Sequence, residues 1–123
     1  MQRKRKTNPQ IEGLIDELKR IARERQVLIW DDIAKRLEKP RRHYAAVNVS
    51  KINRYAKAND TVVVPGKVLS AGAMDKPVTV AALGFSKKAS EKICKAESGS
   101  GKCISIGELV KENPKGSGVK LIV

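Results

Sequence analysis

The chain has 123 residues and carries 26 Lys or Arg against 13 Asp or Glu, which gives a formal net charge of +13. The length suits one domain, and a hydrophobic share of 41% is enough for a buried core, so a disordered basic tail is excluded. Charge of one sign opposes the compaction of a free domain. It therefore predicts a polyanionic partner, with nucleic acid as the first candidate and an anionic membrane surface as the alternative.

Residues 1–8 are predicted to form a flexible basic arm. Arg3, Lys4, Arg5 and Lys6 stand next to one another, and no apolar run follows them, so the pattern does not favour a signal peptide. Repulsion between these cations should keep residues 1–6 disordered until a polyanion is bound. No stretch of the chain approaches roughly 18 apolar residues, and no basic helix carries a bulky aromatic face, so no membrane partner is expected.

Deleting residues 1–6 is expected to weaken nucleic-acid binding and to leave the thermal stability almost unchanged, because the arm supplies charge but no core residue. Binding titrations and thermal unfolding of the full-length and shortened chains test this. A large drop in the melting temperature would show instead that the arm packs on the body of the protein.

Residues 9–57 are predicted to be a helical region. Thr7-Asn8-Pro9 is typical of a helix start, because a capping residue precedes a proline at the first helical position. Apolar residues then recur at helical spacing on one face of this first helix. They are Ile11, Leu14, Ile15, Leu18, Ile21 and Ala22.

A second helix is predicted over about residues 30–39, with Asp31 and Asp32 at its positive end and Pro40 as its stop. Four residues form its apolar stripe: Trp30, Ile33, Ala34 and Leu37. Asn48 is expected to cap a third, short helix. Three apolar residues share one face of that helix: Val49, Ile52 and Ala56.

From residue 61 the pattern changes to short β-branched and apolar runs. Residues 61–64 predict a strand, Pro65-Gly66 predicts a turn, and residues 67–69 predict a further extended segment. Residues 78–83 form a near-continuous apolar run, which is typical of a strand covered on both faces.

Helical and extended signals alternate through the rest of the chain. A helix is predicted from Ser86 to about Ala96, and a short strand at residues 103–104. Ser105 and Glu108 have capping-box spacing for a helix that ends near Asn113, and residues 119–123 predict the last strand. This alternation favours parallel α/β packing. We therefore predict an arm (1–8) and a single α/β domain (9–123), the latter comprising a helical RNA-binding region (9–57) and an α/β core (58–123).

The chain offers no recognisable metal or catalytic site. Cys94 and Cys103 are nine residues apart and form no close ligand pair, and the only histidine is His43, so four zinc ligands cannot be assembled. The two thiols are predicted to be reduced and partly buried. No nucleophile, base and orienting group can be nominated. We predict no cofactor, no metal, no catalytic residue and no small-molecule substrate.

Two local patterns resemble known motifs, a phosphate-binding loop and a helix-turn-helix, but each departs from its motif. Gly99-Ser100-Gly101-Lys102 resembles a phosphate-binding loop, but Ala96 stands where the motif needs its first glycine, and Cys103 follows the lysine in place of Ser or Thr. The second and third helices resemble a helix-turn-helix, yet about nine residues without glycine would join them. A DNA-binding regulator is therefore kept as the alternative function, and a nucleotide-using enzyme as a weaker third.

The basic residues favour a structured nucleic acid held by its phosphates. Every arginine lies at or before Arg54, and every later basic residue is a lysine, so the first half should make most of the specific contacts. Aromatic residues are only 3% of the chain, too few for a platform that stacks single-stranded bases. The best local candidate is the connection after the second helix, although a solvated helix end would look the same. It comprises Lys39, Pro40, Arg41, Arg42, His43 and Tyr44.

Further candidate contacts lie elsewhere along the chain. Lys51, Arg54 and Tyr55 fall within about one helical turn of one another and would extend the patch. Lys67 follows the predicted turn. Lys87 and Lys88 stand at a helix start, where backbone amides could also meet a phosphate.

Six segments in order along the chain resemble one family, the large-subunit ribosomal protein eighteen of archaea and eukaryotes, which is related to bacterial large-subunit protein fifteen. They are Lys6-Thr7-Asn8-Pro9, Ile29-Trp30-Asp31, Leu37-Glu38-Lys39-Pro40-Arg41-Arg42, Asn48-Val49-Ser50-Lys51-Ile52-Asn53-Arg54-Tyr55, Val63-Val64-Pro65-Gly66-Lys67-Val68-Leu69 and Val80-Ala81-Ala82-Leu83-Gly84-Phe85-Ser86. The ordered set covers nearly the whole chain and is much more specific than any single segment.

The resemblance implies an α/β fold of irregular strand–strand–helix turns with a helical N-terminal region laid against large-subunit RNA. It also implies cytoplasmic ribosomes as the location, and ribosomal RNA and neighbouring large-subunit proteins as the partners. The short length favours an archaeal source.

Overall fold

The computed structural model describes residues 9–94 and 101–123. In chain order, the first part holds α1 (Pro9–Arg25), α2 (Leu28–Glu38), a 3-10 turn (Arg41–His43), β1 (Ala45–Asn48) and α3 (Val49–Tyr55). The remainder holds β2 (Thr61–Leu69), β3 (Thr79–Phe85), α4 (Lys87–Cys94), β4 (Lys102–Ser105), α5 (Ile106–Glu112) and β5 (Val119–Leu121). The predicted arm lies outside the described residues.

The five strands form one parallel sheet. The order along the sheet is β1-β2-β3-β4, and β5 also pairs with β2. Because β3 occupies one edge of β2, the other edge is shared by two strands placed end to end. β5 pairs along residues 61–63 of β2, and β1 pairs along residues 66–69. The predicted parallel α/β fold is confirmed.

Helices cover both faces of the sheet and create two hydrophobic clusters. On one face, residues of α3 and α4 pack with Val62, Val64 and Val80 of the central strands. On the other face, residues of α1, α2 and α5 pack with Val63 and Ala81. Alternate residues of β2 and β3 thus enter opposite clusters, which confirms the prediction of a strand covered on both faces.

The predicted helical stripes are confirmed. Ile15, Leu18 and Ile21 of α1 are buried, and the four residues of the α2 stripe are fully buried, with Trp30 0% exposed. The Trp30 indole Nε1 donates a hydrogen bond to the Pro114 carbonyl oxygen at 2.8 Å, so this ring ties α2 to the segment after α5. Such a buried indole needs a partner for its N–H group.

Three residues predicted to start or cap helices are described, and two of them, Ser105 and Ser86, cap their helices with side chains; the predicted start at Thr7-Asn8 lies outside the described residues. Ser105 and Glu108 form the predicted capping box, with Glu108 N–H donating to Ser105 Oγ at 3.1 Å and Ser105 N–H donating to Glu108 Oε1 at 2.9 Å. Ser86 Oγ accepts from Ala89 N–H at 3.2 Å at the start of α4. Asn48 occupies the predicted cap position of α3, but its Oδ1 accepts from Ala71 N–H at 3.1 Å instead.

The predicted turn at Pro65-Gly66 is wrong. Both residues are buried inside β2, which runs unbroken from Thr61 to Leu69, and its pairing with β3 is irregular between Val64 and Lys67. Proline has no N–H group to donate, so it falls where the ladder is irregular. Gly66 lies opposite Ala45, and a Cβ atom there would come within 2.0 Å of the Ala45 carbonyl oxygen. The glycine therefore permits close pairing with β1, a strand that the sequence did not predict.

Candidate nucleic-acid interface

The connection between α2 and β1, residues 39–44, forms a basic corner that the fold holds in place. Pro40 ends the helix, and two backbone bonds close the 3-10 turn: His43 N–H to Pro40 O at 2.8 Å, and Tyr44 N–H to Arg41 O at 3.0 Å. The Tyr44 hydroxyl donates to the Leu37 carbonyl oxygen at 2.7 Å, one of the carbonyls that the end of α2 leaves without a helical partner. The corner is thus fixed from both ends.

Two guanidinium groups and an imidazole project from this fixed corner into solvent. Arg41, Arg42 and His43 are exposed, and none of them forms an ion pair with a carboxylate of residues 9–94 or 101–123. Tyr44 is half-buried against the α1–α2–α5 cluster. Burial raises the pKa of the Tyr44 phenol, and the positive charge of Arg41 opposes part of that rise. Tyr44 thus anchors the corner through its hydroxyl and through its packing against the cluster.

The cations of the α1–α2 hairpin have a different environment. Residues 9–38 contain six cations and seven carboxylates, a net charge of −1. Four of those cations form ion pairs within the hairpin: Lys19 with Glu38, Arg20 with Glu17 and Glu24, Lys35 with Asp31, and Arg36 with Asp32. The hydrogen bond and the charge of Glu17, with Glu24 adding to them, raise the pKa of the Arg20 guanidinium. Position in the first half of the chain therefore does not by itself make an arginine available to RNA.

Positive charge concentrates directly after the hairpin. Residues 39–57 contain six cations and no carboxylate. Three of the predicted contacts in this segment lie on α3, namely Lys51, Arg54 and Tyr55. The Arg54 guanidinium stands 5.8 Å above the Tyr55 ring centroid, and Tyr55 is 56% exposed. Lys51 Nζ donates to the Val123 carbonyl oxygen. Because β1 separates α3 from the corner, the two groups lie at opposite ends of that strand rather than in one loop.

Strand register explains where the later candidate lysines lie. Ala46 of β1 is opposite Lys67 of β2, and Lys67 is opposite Gly84 of β3. Lys67 is exposed between these two small residues, and a Cβ atom built on Gly84 would have no neighbour within 4 Å. The sheet is thus uncovered around Lys67. Ala46 and Gly84 were not predicted as part of the site, because only strand pairing brings them beside the lysine.

Lys87 and Lys88 are exposed at the start of α4, just after β3. Ser86 N–H donates to the Val68 carbonyl oxygen at 3.0 Å, so the chain leaves β3 close to the end of β2. The structure therefore brings Lys67, Lys87 and Lys88 to the same end of the sheet, where the parallel strands β2 and β3 have their carboxyl ends. Arg3, Lys4, Arg5 and Lys6 lie outside the described residues.

The structure does not support the helix-turn-helix or the phosphate-binding loop that the sequence resembles. Ten residues, including the 3-10 turn and β1, stand between α2 and α3, so the pair is not a helix-turn-helix. Lys102, the lysine of the loop-like motif, begins a strand and not a helix. In the described residues no helix is long and apolar enough to cross a bilayer.

Comparison with known proteins identifies the family. The family model for ribosomal protein 60S L18 and 50S L18e matches residues 1–123, the whole chain. The chain belongs to this ribosomal protein family. The family resemblance predicted from the six ordered segments is thereby confirmed.

Three relatives show how complete the match is, and each is named large ribosomal subunit protein eL18. The protein from Archaeoglobus fulgidus is 56% identical over 119 residues, which is 97% of this chain and 99% of the relative. The protein from Methanoregula boonei is 52% identical over 117 residues, 95% of this chain and 94% of the relative. The protein from Haloarcula marismortui is 48% identical over 117 residues, which is 95% of this chain and 97% of the relative. All three organisms are archaea.

Proposed function

We propose that the chain is a structural constituent of the large ribosomal subunit that binds and stabilises folded ribosomal RNA, and that it is not an enzyme. The subunit assignment rests on family membership over the whole chain. The RNA-binding role rests on one observation, the segregation of charge between a neutralised α1–α2 hairpin and the carboxylate-free segment 39–57.

The basic corner is proposed as the principal RNA contact because its cations are already positioned. Arginine side chains lose conformational freedom when they bind, and a fixed backbone reduces the part of that cost that the loop itself would add. Arg41 and Arg42 have no competing carboxylate within the described residues, so a phosphate would not have to displace an ion pair. The guanidinium group can hold a phosphate with two parallel hydrogen bonds.

The other candidate residues are proposed as secondary contacts of two kinds. Arg54 and Tyr55 present a cation and an exposed ring, which suit a phosphate beside a sugar or base. Lys67, Lys87 and Lys88 present point charges around an uncovered stretch of sheet, where the small side chains of Ala46 and Gly84 let an RNA backbone approach closely. The predicted arm would add four further cations.

Within the predicted helical RNA-binding region 9–57, the α1–α2 hairpin is proposed to make fewer RNA contacts than segment 39–57 and to turn part of its surface to solvent or a neighbouring protein. Its net charge of −1 offers a polyanion no attraction, and its cations are largely committed to internal ion pairs. Leu28, 82% exposed at the start of α2, is the most exposed large apolar side chain of the described residues and lies on this hairpin. Neighbouring large-subunit proteins are therefore the second class of partner that we propose.

RNA binding should weaken steeply as salt rises, because phosphate contacts release condensed counterions. For about six neutralised phosphates, the slope of log affinity against log salt should be roughly −4 to −5. Titrations of the purified chain with its ribosomal RNA fragment at several salt concentrations measure this slope. The Arg41→Ala, Arg42→Ala variant should have a shallower slope by about 1.5. A nearly flat salt dependence would contradict the electrostatic basis of the proposal.

A further inference from the structure

The two cysteines, nine residues apart in sequence, meet in the fold. Cys94 is the last residue of α4, and Cys103 is the second residue of β4. Their Sγ atoms lie 3.9 Å apart, and both thiols are free. That distance is close to van der Waals contact between sulfurs, a proximity that the nine-residue spacing in the sequence does not reveal.

The contact is imposed by the packing on both sides of it. Ile93, next to Cys94, is fully buried under the sheet, and Cys103 pairs in register with Val80 of β3. Gly101 brings the start of β4 against the last turn of α4, since a Cβ atom there would come within 1.9 Å of the Ile93 carbonyl oxygen. The Lys102 N–H to Val78 O hydrogen bond, 3.0 Å long, fixes the same segment to the sheet. The backbone of each cysteine therefore belongs to a regular element, Cys94 to α4 and Cys103 to β4.

The two thiols differ in reactivity. Cys94 is exposed, whereas Cys103 is half-buried. Burial raises the pKa of the Cys103 thiol to about 11, and a hydrogen bond with Ser90 opposes part of the rise. Cys103 is therefore almost entirely protonated at neutral pH. Since the thiolate is the attacking species, an external reagent should react first at the accessible Cys94.

We propose that Cys94 and Cys103 form a dithiol modification site that closes to an intramolecular disulfide by exchange with a low-molecular-weight disulfide. The Cys94 thiolate attacks one sulfur of the reagent, forms a mixed disulfide and expels one small thiolate. Cys103 then gives its proton to solvent and attacks the Cys94 sulfur, which expels the second small thiol. Two protein thiols are oxidised, and one small disulfide is reduced to two thiols.

The closure requires only a modest movement. A disulfide bond is about 2.05 Å long, so the sulfurs must approach each other by roughly 1.9 Å from their present separation. Cys94 is exposed at a helix end, where its side chain can rotate without displacing a core residue. The disulfide would join α4 to β4, two elements that already pack together, so the native fold should tolerate the bond.

Oxidised glutathione is the probe, used on the full-length purified chain. The wild type should lose both free thiols, keep no glutathione adduct and show a mass lower by two hydrogens. Its melting temperature should rise by about 5 °C or more, as expected for a crosslink that closes a short loop. Ring closure should accelerate as pH rises towards the Cys103 pKa.

Two serine variants locate the steps. Cys103→Ser should stop at a stable glutathione adduct on Cys94, and Cys94→Ser should react much more slowly than the wild type. The proposal is overturned if the wild type also stops at the mixed adduct, or if oxidation gives disulfide-linked dimers in place of the internal bond. It is equally overturned if the Cys94→Ser variant reacts as fast as the wild type, because Cys94 would then not be the first nucleophile.

Discussion

The double substitution Arg41→Ala, Arg42→Ala is expected to weaken incorporation of the chain into the large subunit by at least about tenfold. These two side chains project from the fixed corner and have no carboxylate partner among residues 9–94 and 101–123. Each charge-assisted contact with a phosphate contributes about 1.5–3 kcal/mol, so the loss of even one of them reaches this size. Competition between variant and wild type during subunit assembly measures the effect.

The matched control is Lys111→Ala with Lys115→Ala. It removes the same formal charge from two residues that are also exposed. Lys111 lies on α5 between Glu108 and Glu112, so its surroundings are not cationic. This control should lose only diffuse attraction and compete within about twofold of wild type. Both double variants should keep their melting temperatures, because neither removes a core side chain. Equal defects in incorporation would mean that the corner is a solvated charge cluster and not a binding site.

The helices and the layers of the fold could be predicted because their determinants are local. Ile15, Leu18 and Ile21 repeat at helical spacing, and burial on the sheet follows from that spacing alone. Ser105 and Glu108 specify a helix start within four residues of chain. Residues 78–83 are apolar at every position except Thr79, and this near-continuous run predicts cover from both sides, which the two clusters provide.

Strand pairing could not be predicted, because it depends on residues that are distant in sequence. Ala45-Ala46-Val47-Asn48 has no pattern of its own, and it becomes β1 only because β2 offers a free edge at Gly66. Pro65-Gly66 is a common turn signal, but here the proline occupies an irregular position of the ladder and the glycine a crowded one. The wrong turn and the missed strand are one error with one physical cause.

The sequence predicted which residues could bind a polyanion, but not which of their charges are already neutralised by carboxylates. Counting arginines favoured the whole first half of the chain, yet Arg20 and Arg36 pair with carboxylates of their own helices. Each of these arginines has a carboxylate four residues away on the same helix, so the sequence could have predicted both ion pairs. The contact between Cys94 and Cys103 and the small residues around Lys67 arise only from tertiary packing and strand register.

Gly66→Ala is expected to lower the free energy of unfolding by at least about 3 kcal/mol and the melting temperature by roughly 10 °C. A Cβ atom at this position would come within 2.0 Å of the Ala45 carbonyl oxygen and 2.7 Å of the Ala45 nitrogen. Both atoms belong to the backbone of the neighbouring strand, so no side-chain rotation can relieve the clash. The strands must separate, which breaks the β1–β2 pairing along residues 66–69.

Gly84→Ala is the control that isolates this cause. It makes the same chemical change in the adjacent strand, at a glycine where an added Cβ atom has no neighbour within 4 Å, and should alter the stability by less than about 1 kcal/mol. Because β1 directly follows the basic corner, Gly66→Ala should also displace Arg41 and Arg42 and weaken RNA binding. The Arg41, Arg42 double variant should weaken binding without any loss of stability. If Gly66→Ala unfolds at the same temperature as Gly84→Ala, β1 does not pair with β2 as closely as described, and the corner is not anchored through this strand.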